Sequence, residues 1–297
     1  MVLGLDKGNF YVKDSNHVYY KSGCKQISSD AENDSTIFYE GKLYSVGESR
    51  NAMMLDKTQN EDMWIQCLPA IAEAIEKEGK SSFGAVKLAI GVPLKQYRQY
   101  KESYENYFKS RNCKFIYKGK HYSVMISDCK CYPQGFAAYL HHYGDLSQFR
   151  ECNIVDIGGG TVDVFKVVAG KPVTSSFKSF YSGTISLVND IAETLSNGEI
   201  NVSEDMLCDA ISSKELIHRR ANVIYQVAAE KAEDYVKELT GQLAENGFDL
   251  DTPCVLIGGG AILLKDYLTA SDKLYIVQTY DNFANADAFA WLMENGR

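Results

Sequence analysis

The chain has 297 residues, 45% hydrophobic and 24% charged, with a formal net charge of −8. That length suits about two domains, and the acidic balance argues against broad, non-specific binding to nucleic-acid phosphates, which needs a basic surface. No run of ~18 apolar residues is present to span a bilayer. Met1-Val2-Leu3-Gly4-Leu5 leads straight to charged residues without a basic leader, so the expected location is the cytoplasm, with no membrane partner. Eight scattered cysteines are then expected as reduced thiols, mostly buried.

Residues 2–6 and 10–13 are expected as strands around the turn Asp6-Lys7-Gly8-Asn9, because Asn and Gly tolerate positive φ. Residues 17–46 read as further short strands, with turns near Ser22-Gly23 and Glu40-Gly41-Lys42. A helix is expected over 61–78, with Pro69 as a local irregularity. Val86–Val92 reads as a buried strand ending at Pro93. Residues 95–111 are expected to be helical, with Tyr97, Tyr100, Tyr104 and Tyr107 forming one face for core packing. Phe115–Tyr117 and His121–Ile126 suggest a hairpin around Lys118-Gly119-Lys120. Cys129 and Cys131 form a CxC pair without a second pair at zinc spacing. Two residues of one strand sharing a face is the reading preferred over a metal site. Residues 134–143 read as a short helix closed by Gly144.

The second half repeats the opening. Asn153–Asp156 and Val162–Val168 are expected strands around Gly158-Gly159-Gly160-Thr161, followed by a turn at Gly170-Lys171-Pro172. Helices are expected at 184–196, 203–212 and 216–245, the last with Gly247 as a cap just past its end. Cys254–Ile257 is a strand, Gly258-Gly259-Gly260 opens a helix, and 285–295 is the last helix. No low-complexity linker separates the halves.

Three glycine turns carry the chemistry: Asp6-Lys7-Gly8-Asn9 with Lys13 on the next strand, Asp156–Asp163, and Gly258–Ala261. Turns of Gly and small polar residues present backbone N–H groups that bind phosphate oxygens. Two such turns, each with an Asp ending the incoming strand, suit a triphosphate with Mg²⁺, a hard cation that keeps several waters. Lys13 adds a point charge for phosphate. The third turn, lacking side chains, lets a nucleoside lie against backbone. Asp163 reads as structural within its strand. The turns match neither a P-loop GxxxxGK[ST] nor a Rossmann GxGxxG.

In this order the turns resemble the actin-like ATPase superfamily, and within it the bacterial ParM/Alp plasmid-segregation group. Asp6–Asn9 with Lys13 resembles its first phosphate motif, Asp156–Thr161 the second, and Ile257–Ala261 the adenosine motif. Tyr132–Ala138 and Asn285-Ala286 resemble the two connecting helices. Val46-Gly47-Glu48, Asp56-Lys57-Thr58 and Asn60-Glu61 are shorter matches to ParM segments. Asp287-Ala288 stand where many relatives carry glycine, so the family's close crossing of the connecting helices is not carried over to this sequence.

The resemblance implies a two-domain α/β fold of the actin/ribonuclease-H type with a nucleotide cleft. Domain I would span 1–152 plus the C-terminal helix 283–297, and domain II 153–282. Asp6 and Asp156 would hold Mg²⁺ through water. Gly8, Asn9 and Lys13 would contact the phosphates, and Gly158, Gly159, Gly160 and Thr161 would wrap them. Gly183 and Thr184 would approach the nucleotide from the next helix. Gly258, Gly259, Gly260 and Ile262 would line the adenosine pocket. Gln134 is the candidate for positioning the attacking water, by donating and accepting rather than as a base.

The implied function is a slow, assembly-linked ATPase that polymerises with itself into dynamic filaments for plasmid segregation. ATP is the expected nucleotide, with GTP possible, and a small DNA-binding adaptor of ParR type is the expected partner. The alternative is a small-molecule kinase of the same fold, which needs a general base; Asp128 could be proposed, but nothing in the sequence marks it as one. A chaperone-type ATPase is disfavoured because 297 residues leave no room for a peptide-binding domain.

Overall fold

The computed structural model describes residues 1–28, 35–52, 57–59, 61–79 and 83–297. Asp56 and Asn60, in the short ParM-like segments, lie outside the described residues. The chain forms two units, Met1–His141 with Phe283–Arg297, and His142–Asn282.

In the first unit the strands are β1 (Val2–Lys7), β2 (Tyr11–Asp14), β3 (Tyr19–Lys21), β4 (Cys24–Ile27), β5 (Thr36–Tyr39), β6 (Lys42–Val46), β7 (Phe83–Val92), β8 (Asn112–Tyr117) and β9 (Lys120–Pro133). Among the described residues they make a nine-stranded sheet in the order β3-β2-β1-β7-β9-β8-β5-β6-β4. β1, β7 and β9 run parallel at its centre. Their apolar side chains Leu3, Leu5, Leu88 and Ile90 are excluded from water, as expected for strands covered on both faces. The helices are α1 (Asp62–Ile65), α2 (Leu68–Lys77), α3 (Tyr97–Phe108), α4 (Phe136–His141) and, returning from the far end of the sequence, α11 (Ala284–Glu294).

The second unit holds β10 (Glu151–Ile157), β11 (Val162–Val168), β12 (Lys171–Pro172), β13 (Lys178–Phe180), β14 (Cys254–Ile257) and β15 (Ile276–Thr279). The sheet order is β12-β11-β10-β14-β15, with β13 also on β11. Its helices are α5 (Tyr143–Leu146), α6 (Thr184–Asn197), α7 (Glu204–Ile211), α8 (Ala221–Glu245), α9 (Gly259–Leu263) and α10 (Lys265–Ala270). Both units share one plan. A hairpin, β1–β2 or β10–β11, is flanked by a parallel neighbour, β7 or β14.

Several elements differ from expectation. The helix over 61–78 is two helices, and Pro69 falls in the first turn of α2, where no N–H is needed. The strand expected to end at Ile126 continues to Pro133 because β7 supplies a parallel partner along its whole length. This places Cys129 and Cys131 two residues apart on one strand, both buried. Gly144 lies inside α5 instead of closing a helix. α8 begins at Ala221 rather than 216, since the Tyr225 hydroxyl ties the preceding segment down. It accepts from Leu216 N at 2.9 Å and donates to Lys214 O at 2.5 Å. The tyrosine face of α3 does pack inward, with Tyr104 buried and Tyr97, Tyr100 and Tyr107 half-buried against the core.

The helix α11 meets β1 at backbone distance. A Cβ on Gly4 would stand 1.9 Å from Ala286 O, so only glycine fits. At the crossing of α4 and α11, Asn285 accepts the Gly135 N–H at 2.9 Å. Ala288 is fully buried and Asp287 turns outward to His17 Nε2 at 3.1 Å.

Candidate functional site

The first turn joins β1 to β2. Asp6 pairs with Lys13 and Lys7 with Val12. Cross-strand partners share a face of the sheet, so the Asp6 carboxylate and the Lys13 amine stand on one side. Both are buried. Asp6 Oδ1 accepts from Gln134 Nε2 at 2.7 Å. That bond orients the Gln134 amide: one of its two N–H groups goes to Asp6, and its carbonyl oxygen is turned to accept a hydrogen bond elsewhere. Gln134 is placed for this by the end of β9, where its own N–H donates to Val92 O at 2.9 Å.

Lys7 points the other way, into the core. Its amine donates to Ser22 Oγ at 2.7 Å, and burial lowers its pKa to about 8. The Ser22 hydroxyl reaches Gly8 O at 2.7 Å.

The second turn joins β10 to β11. Asp156 pairs with Asp163 and Ile157 with Val162. Asp163 accepts from the Ser179 hydroxyl of β13, as suits a structural role. Gly158 N donates to Thr161 O at 2.9 Å and closes the turn. The three glycine carbonyls of the turn are held by the start of α6. Gly183 N donates to Gly160 O at 3.4 Å, Thr184 N to Gly158 O at 3.1 Å, and Ile185 N to Gly159 O at 2.9 Å. Those donors belong to the first turn of a helix and would otherwise lack partners. In a trans peptide the C=O and the following N–H point in opposite directions. The N–H groups of Gly159, Gly160 and Thr161 therefore point away from α6, as a phosphate cradle requires. Gly183 and Thr184 stand behind this turn and support it.

The third turn sits against the second. Gly258 has φ +93°, and a Cβ there would lie 2.5 Å from Asp156 Oδ1 and 2.6 Å from Ile157 O. Only glycine takes this conformation at this distance. Gly260 packs on Ile157 and Thr184 just as closely, while Ile262 on α9 is 44% exposed and open to a ligand. The structure thus brings Asp156, Gly158–Thr161, Gly183, Thr184 and Gly258–Gly260 together in the second unit, and Asp6, Gly8, Lys13 and Gln134 in the first.

Among the described residues no three His, Cys, Asp or Glu side chains gather as a metal cage. The donors offered are single carboxylates, which fits Mg²⁺, an ion that keeps its waters and borrows one or two protein oxygens. Asp128 is not placed for chemistry at the first turn. It pairs with Lys87, which pairs with Val2. That puts it four residues short of Asp6, about 13 Å along the strands. Its carboxylate accepts from Cys129 N at 2.9 Å. The buried thiols are no better suited to reaction: burial raises Cys131 and Cys254 to about 12.

Sequence reasoning missed Ser22, Gln66 and Asn285 as supports. Only the turn signal at Ser22-Gly23 pointed near the first.

Two family models match the chain. One, for actin-like proteins' N-terminal domain, covers residues 4–136. The other, for the archaeal actin homologue MreB-like C-terminal domain, covers residues 154–270. Comparison with curated protein sequences gives no match. Among solved structures, the archaeal actin homologue Ta0583 in complex with ADP superimposes with a TM-score of 0.77 at 17% identity, covering 99% of each chain. A 15-stranded ParM filament from Clostridium botulinum gives 0.73 at 17% identity, also over 99% of each. Bacillus thuringiensis ParM with ATP gives 0.68 at 13% identity over 99% of each. At such identities these likenesses establish the fold. They agree with the actin-type fold expected from the glycine turns, and the two family models name actin-like proteins.

Proposed function

The chain belongs to the actin-like protein family, and from that premise we propose that it is a Mg²⁺-dependent ATPase of ParM/Alp type that assembles into filaments. The observation that carries the nucleotide reading is the outward set of N–H groups at Gly159, Gly160 and Thr161, fixed by α6 behind them. Solved structures of the same fold contain ADP and ATP, which supports the same ligand here.

Each residue has a task. Asn9 and Gly159–Thr161 offer backbone donors to phosphate oxygens, and Lys13 offers a cation. Asp6 and Asp156 would hold Mg²⁺ through water, and the ion, when bound, neutralises phosphate charge. Gln134, held by Asp6, turns its carbonyl oxygen toward a water and aligns it for attack. Such positioning and charge stabilisation make up most of the catalysis of phosphoryl transfer. Gly258–Gly260 and Ile262 form the wall for the nucleoside.

Assembly would follow differential affinity: the ATP state joins the filament and hydrolysis weakens it. Plasmid DNA segregation through a small DNA-binding adaptor is the process this would serve, in a bacterial cytoplasm. No described helix is long and apolar enough to cross a membrane. A sugar-type kinase is less favoured, because Asp128 lies far along the strands from Asp6.

The test is right-angle light scattering of the purified chain on adding Mg²⁺-ATP, with phosphate release followed in parallel. The expected trace rises and then decays as phosphate appears. Phosphate release without any rise at high protein concentration would count against assembly by the chain alone.

A further inference from the structure

Ser22 lies in the bend after β3 and is 2% exposed. It grips the first turn twice. Its N–H donates to Phe10 O at 2.9 Å, and its hydroxyl donates to Gly8 O at 2.7 Å. One residue therefore holds the carbonyls on both sides of Asn9.

The hydroxyl proton is itself directed. Lys7 Nζ donates to Ser22 Oγ at 2.7 Å, so the oxygen serves as acceptor toward Lys7 and must spend its one proton on another group. Two acceptors are in reach: Gly8 O at 2.7 Å and Gln66 Oε1 at 3.3 Å. The shorter contact is the turn carbonyl. Gln66 is tethered in turn, its backbone oxygen accepting from Tyr20 OH at 2.7 Å.

The consequence follows from peptide geometry. With the Gly8 carbonyl drawn toward Ser22, the Asn9 N–H of the same trans peptide points the opposite way, out of the core. We propose that Ser22 is the positioning residue of the first phosphate turn, aiming the Asn9 N–H at a phosphate oxygen through its bond to the Gly8 carbonyl, with Lys7 directing the Ser22 proton. This rests on the nucleotide reading above.

The test uses Ser22→Ala and Ser22→Cys in the full chain, with a fluorescent ATP analogue and Mg²⁺ as the probe and ATP as competitor. Both variants keep the backbone bond to Phe10. Cys also keeps the side chain's approximate volume, so one of the two remains informative if Ala folds poorly. The expected result is an ATP Kd and KM raised about tenfold, the scale of one buried hydrogen bond lost, with kcat at saturating ATP changed less than about threefold. Variants that bind like the parent, or that lose kcat with KM unchanged, would overturn the role of Ser22 alone. A parent chain that does not bind the probe would overturn the nucleotide reading instead.

Discussion

The two hairpin turns present similar backbone but are held from behind by different means. In the first unit a side chain shares the work: the Ser22 hydroxyl, backed by Lys7 and Gln66, holds Gly8 O, while its backbone N–H holds Phe10 O. In the second, the backbone of α6 does it, with three successive N–H groups on three successive carbonyls. A turn held by a hydroxyl can be loosened by removing one atom. A turn held by helix N–H groups is indifferent to the side chains there, and only added bulk or a lost helix can move it. Asp6 accepts from a side-chain amide, and Asp156 lies so near Gly258 that a Cβ there would stand 2.5 Å from its Oδ1.

The largest effect that would sharpen this contrast is chemical. Asp156→Ala should abolish Mg²⁺-dependent phosphate release, and unchanged turnover would remove the second turn from the site. Gly183→Ala should come next. Its Cβ would lie 2.4 Å from Gly159 O and 2.5 Å from the carbon of the same carbonyl, with no flexible side chain to yield. Overpacking of that kind costs about 1–3 kcal/mol, so a lowered melting temperature and weakened ATP binding should appear together. Gln134→Ala should slow hydrolysis by up to about 100-fold, the scale of a misplaced reactant, while ATP binding survives. If binding falls equally, Gln134 acts through Asp6 as a structural prop. The smallest effect belongs to Thr184→Ala. Its hydroxyl reaches Gly158 O only at 3.5 Å, whereas its N–H bond at 3.1 Å is untouched. ATP affinity should stay within about twofold, well under a typical hydrogen bond's worth. A large loss there would break the comparison, because it would make the second turn side-chain dependent too.

What could be read from the residues is uneven for physical reasons. The glycine turns were legible because a run such as Asp156–Asp163 between apolar strands states both its local geometry and its chemistry. The central strands β1 and β7 were legible because continuous burial leaves a continuous apolar run, whereas β9 mixes polar and apolar residues and could be read only to Ile126. Ser22 was not, since its role exists only after β3 folds back beside β2 and brings it under Gly8. Asn285 was legible as part of a connecting helix, yet its bond to Gly135 spans 150 residues of sequence. β12, β13 and β15 carry two to four residues each and too little pattern to stand out. The start of α8 differs from expectation because the Tyr225 hydroxyl ties down the segment before it, a contact that sequence pattern does not encode.

The proposed function requires both Asp6 and Asp156 for binding of Mg²⁺-ATP. Calorimetric titration of Mg²⁺-ATP into the parent chain, Asp6→Ala and Asp156→Ala tests it directly. The account predicts one site per chain, with affinity sharply reduced in either variant. Full-strength binding that persists when one of the two carboxylates is removed would contradict it.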